Sequence, residues 1–73
     1  MAAAEHPLRR AREARGWTIR ALSARSGVDA QWLGCIEKGR AHPKPPTRRR
    51  ILRALGLTMK DQARVFPTPE ASR

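Results

Sequence analysis

Seventy-three residues, 40% of them hydrophobic, allow one small domain with a single helical core. Sixteen basic residues, thirteen of them arginine, face six acidic ones, and a net charge of +10 attracts polyanions through counterion release. No apolar run is long enough to cross a membrane, no segment pairs a basic face with a leucine-rich or aromatic one, and a single cysteine forbids an internal disulfide.

Taken in chain order, residues 1–6 read as a flexible tail without the charged start and apolar stretch of a secretory signal, so a cytoplasmic location is expected. The domain proper is expected over 7–66. Pro7 suits the first position of a helix, where its missing N–H costs nothing, and that first helix should run over 7–15 and stop at Gly16. Trp17 follows as an apolar plug.

Thr18 is a good N-cap for a second helix over 19–26, ended by Gly27. Asp29 caps a third helix, with Val28 and Leu33 placed for a hydrophobic staple and Gly39 as the stop. The prolines of 40–46 indicate a loop. A fourth helix is expected over 47–55, with Ile51, Leu52 and Leu55 buried and Arg48, Arg49 and Arg53 facing water or a partner. Thr58 with Asp61 resembles a capping box opening a fifth helix to about Phe66, and a second flexible tail covers 67–73. No strand pattern is visible. The expected fold is all-α, a compact bundle of about five short helices.

The second and third helices carry the chemistry. Leu22, Val28, Leu33 and Ile36 supply apolar contacts, Ser23 a small side chain for close approach, and Gly27 a left-handed turn. This is the spacing of a helix-turn-helix, and on so basic a chain double-stranded DNA is the first partner to consider. On a helical wheel Trp32, Leu33 and Ile36 fall toward the core. Ala30, Gln31, Gly34, Cys35 and Lys38 form the opposite face, an arc of about 140°.

Gln31 either pairs with adenine or is an ordinary solvated helix residue. Ala30 either touches a thymine methyl or simply favours helix. Gly34 costs about 1 kcal/mol relative to alanine in mid-helix, and either its backbone approaches DNA closely or the glycine reflects genomic drift. Cys35 offers a small contact surface, and Lys38 and Arg40 suit phosphates. Arg12 and Glu37 carry opposite charges near the core boundary and either form a structural ion pair or are both solvated, where such a pair is worth little.

No metal site is expected, since Cys35, His6 and His42 match no zinc spacing, and no cofactor is implied. No catalytic set sits at a recognisable spacing, so the chain does not read as an enzyme. Two tryptophans and one phenylalanine fall short of a single-strand stacking ladder.

The segments LRRAREARGWT, LSARSGV, LGCIEKG and PKPPTRRRILRALG resemble the Cro and lambda-repressor-like family, also called the XRE helix-turn-helix family. The resemblance covers about 8–57. It implies transcription regulation, as by a repressor or antitoxin, and binding as a homodimer to a palindromic operator with the third helix in the major groove. It places Ala30, Gln31, Gly34 and Cys35 at base-facing positions and Thr18, Ile19, Lys38 and Arg40 at phosphate-facing ones. Arg20 and Lys44 are further phosphate candidates, and the family often pairs the residues matching Arg12 and Glu37. Three departures stand out. Ile19 replaces a phosphate-binding glutamine, Ala30 and Gly34 offer few hydrogen bonds, and Gln62 replaces an apolar residue of the usual dimer seam. The competing expectation is therefore an interaction module that keeps the fold but docks on a protein such as a polymerase or a toxin.

Overall fold

The computed structural model describes residues 6–67. Five α-helices follow one another: α1 (Pro7–Glu13), α2 (Ile19–Ser26), α3 (Ala30–Glu37), α4 (Pro45–Ala54) and α5 (Gln62–Val65), the last entered through a 3-10 turn at Met59–Asp61. No strand occurs among the described residues. Of the two expected tails, 1–5 and 68–73 lie outside those residues. His6, assigned to the first tail by sequence, instead caps α1, its ring Nδ1 accepting from the Leu8 amide at 3.0 Å.

Side chains at the helix starts take up amides that have no partner within the helix. Thr18 Oγ1 accepts from Ala21 N at 3.1 Å and Asp29 Oδ2 from Trp32 N at 3.0 Å. Thr58 and Asp61 form the capping box, which opens the 3-10 turn before the four residues of α5. Sequence placed the start of the fourth helix at Thr47, but α4 begins at Pro45. Prolines at the first two positions have no N–H to leave unsatisfied. For the same reason Lys44 serves as N-cap without a side-chain bond at little cost.

Two glycines set the path of the chain into and out of α3. Gly27 ends α2 at φ 75°, turning the chain into Val28 and α3. Gly39, at φ 76°, closes α3 with paired bonds, its own N–H to Ile36 O and the Arg40 N–H to Cys35 O. The same pairing around Gly16 closes the first helix, whose regular part ends at Glu13 rather than Arg15.

The core collects Leu8 from α1, Leu22 from α2, Leu33 and Ile36 from α3, Ile51 and Leu52 from α4, and Leu55 at the C-cap of α4. Val28 closes it from the turn, and Val65 and Phe66 from the C-terminal side. Each such side chain contributes about 1.5–3 kcal/mol on burial. α2 packs on α3 and α4, while α1 packs on α3 and α5. Both helices packed against α3 lie on its Leu33–Ile36 side. Its opposite side leaves Gln31 exposed and meets α2 only at Gly34, where a Cβ would lie 4.0 Å from Ile19 Cδ1.

Candidate nucleic-acid interface

The free side of α3 carries Ala30, Gln31, Gly34, Cys35 and Lys38. Gln31 and Lys38 are exposed, and Ala30, Gly34 and Cys35 are half-buried, with no core residue among the five. The face is narrow and neutral to basic. The described carboxylates are engaged elsewhere: Glu13 with Arg9, Glu37 with Arg12, and Asp61 with Arg64. Asp29 stands at the edge of the face, with Oδ2 held by the Trp32 amide.

Gly34 is open on this side. A Cβ added there would meet only Ile19 Cδ1, at 4.0 Å, an ordinary contact. Nothing in the protein requires a glycine.

The sequence-assigned phosphate residues fall into two groups around α3. Thr18, Ile19 and Arg20 sit at the start of α2, where the first amides lack helical partners. The Thr18 hydroxyl accepts from Ala21 and keeps its own proton to donate. Ile19 is half-buried and packed against the core, so it offers a backbone amide and no side-chain bond. Arg20 is exposed. At the other end Lys38, Arg40 and Lys44 are all exposed, along the loop that leaves α3 and enters α4.

Arg12 and Glu37 brace the back of α3. Arg12 Nε donates to Glu37 Oε2 at 2.8 Å and Nη2 to Oε1 at 3.0 Å, and Nη1 donates to the Trp17 carbonyl at 2.7 Å. The arginine side chain is 10% exposed and the glutamate 6%. One guanidinium thus fastens α1, the turn before α2, and the end of α3. The bond to Glu37 raises the Arg12 pKa, so the charge is permanent. Near this pair, burial lowers the His6 pKa. Glu37 opposes that shift and His42 adds to it.

Two sequence expectations are corrected. Trp32, expected toward the core, is 43% exposed. It lies at the margin of the stripe formed by the buried Leu33 and Ile36. Arg48, expected to face water or a partner, turns inward. Its Nε donates to Gln62 Oε1 at 3.0 Å and its Nη1 to the Pro43 carbonyl at 2.7 Å. Gln62 is thereby explained within one chain, as the acceptor that ties α5 to α4.

A further contact escaped sequence reasoning. The Arg25 guanidinium lies over the Trp17 ring, 4.4 Å from its centre. The pair is eight positions apart and on different elements, so only a three-dimensional arrangement reveals it. Among the described residues, no three His, Cys, Asp or Glu side chains gather as metal ligands, and no helix is long and apolar enough to cross a membrane.

A family model described as a helix-turn-helix domain matches residues 6–66, consistent with a lambda-repressor-like domain. No curated protein and no solved structure matches the chain.

Proposed function

The chain belongs to the helix-turn-helix domain family, and on that premise we propose that it is a sequence-specific double-stranded DNA-binding transcriptional regulator of the repressor type. The observation that supports it is the uncovered side of α3, small and free of carboxylates except at its edge, with cations at its far end. A major groove admits such a helix with its N-terminal residues deepest.

In this reading Gln31 forms the paired hydrogen bonds to an adenine, while Ala30, Gly34 and Cys35 make close contacts that carry little hydrogen bonding. Thr18, the Ile19 amide and Arg20 hold phosphates on one side, and Lys38, Arg40 and Lys44 on the other. With few base bonds available, part of the specificity comes from DNA shape. The protein acts in the cytoplasm, by binding rather than catalysis, as a homodimer on a palindromic site.

Docking on a protein partner is the second reading, and exposed Trp32 favours it, because aromatic anchors dominate protein interfaces. Titration of a labelled random-sequence duplex at two salt concentrations separates the two. DNA binding gives a measurable affinity at low salt that falls steeply as salt rises. Absence of binding at low salt overturns the DNA reading and leaves the protein partner.

A further inference from the structure

A second basic site lies away from the free side of α3. The end of α2, the Gly27 turn and α4 enclose a groove of about 680 Å³. Its walls carry Arg25, Arg49, Arg50 and Arg53, with Gly27 and Pro46 between them, and no residue of α3 takes part. All four arginines are exposed, and no described carboxylate forms an ion pair with any of them. Four arginine side chains along one groove without a carboxylate partner leave its positive charge unbalanced, and a bound polyanion offsets that charge.

The groove is also partly ordered in advance. The Arg25 guanidinium is held over the Trp17 ring, 4.4 Å from its centre, a cation–π contact that restricts its motion and leaves its charge in place. Arg49, Arg50 and Arg53 project from regular helix, with Arg49 and Arg53 one turn apart on one face. The lining has no large apolar residue to serve as the anchor of a protein interface. Its chemistry is that of forked cations meeting phosphate oxygens.

We infer that this groove holds a second stretch of phosphodiester backbone, on the flank of the duplex that α3 engages. Gly27 joins the two sites, forming part of the groove wall and of the turn into α3. The duplex-flank assignment rests on the DNA-binding function proposed above, whereas the phosphate chemistry of the groove does not.

Two measurements on the full chain test it. In the first, inorganic triphosphate is titrated into the isotope-labelled protein and amide shifts are mapped by NMR. Shifts concentrated at residues 25–27 and 49–54 support the site. Shifts spread evenly, or centred on α3, overturn it, and this holds whether or not α3 binds DNA. In the second, the salt dependence of duplex affinity is compared for Arg49→Ala/Arg53→Ala and for Arg10→Ala/Lys60→Ala, which removes the same charge elsewhere.

On a 24-base-pair duplex, loss of two phosphate contacts lowers the slope by about two units in the groove variant, and much less in the control. On a duplex of about 16 base pairs, which holds both half-sites but lacks the flank, the two variants should match. Equal slopes on the long duplex, or capture of a second labelled duplex in place of the flank, overturn the assignment.

Discussion

Arg12 and Glu37, twenty-five positions apart, meet through two parallel N–H···O bonds of 2.8 and 3.0 Å. Because Arg12 also holds the Trp17 carbonyl, this contact fixes the end of α3 against both α1 and the approach to α2. The free side of α3 is therefore presented by a rigid frame.

Removing one member of a pair this buried leaves the other charge without compensation. Glu37→Ala should lower stability by about 3 kcal/mol in urea unfolding, and Arg12→Met combined with Glu37→Leu should recover much of it. A loss below about 1 kcal/mol in the single variant would show that the pair is not structural.

His6 gives the fold a pH dependence of definite sign. Burial holds its pKa below the ordinary histidine value of 6.5, so the unfolded chain takes up a proton first as the pH falls. The stability it contributes is complete above pH 6.5 and is lost as pH falls through the lowered folded value. Protonation of Nδ1 also removes the acceptor for the Leu8 amide. His6→Asn keeps a capping side chain without titrating there. The melting temperature of the native chain should fall more than that of His6→Asn between pH 8 and pH 5, and identical falls would contradict this.

Gly34→Ala should separate stability from binding. The site has room for a methyl group, and alanine favours helix by about 1 kcal/mol. The variant should melt at a higher temperature yet bind its DNA site more weakly, because the methyl group stands where the duplex approaches. Unchanged affinity would make the glycine incidental.

Arg40 leaves α3 through the Gly39 turn and is exposed. Arg40→Ala should weaken binding to specific and random duplexes alike and reduce the salt slope by about one unit. Weakening confined to one sequence would instead make Arg40 a base-reading residue.

Much of the fold was legible because its punctuation is local. Thr18 and Asp29 cap, Gly27 and Gly39 turn, and Leu33 and Ile36 share a face, all within windows of a few residues. What escaped depends on contacts between distant elements. Pro45 and Pro46 suggested a loop by composition, although a first helical turn tolerates both. Arg48 looked like one more surface arginine, and its partners Pro43 and Gln62 come from two different elements. Trp32 satisfied the wheel but lacked a neighbouring helix to cover it. The arginine groove joins residues from the end of α2 and from α4, which no spacing rule brings together.

Selection of binding sites from a random duplex pool, run in parallel for the native chain and for Gln31→Ala, tests most directly whether α3 reads the major groove. The native chain should enrich a two-fold symmetric motif with half-site centres about 10 base pairs apart. Gln31→Ala should relax preference at one symmetry-related position, at a cost of about 1–3 kcal/mol on the native site. Failure to enrich any motif, or identical motifs from both proteins, would contradict a reading role for that helix.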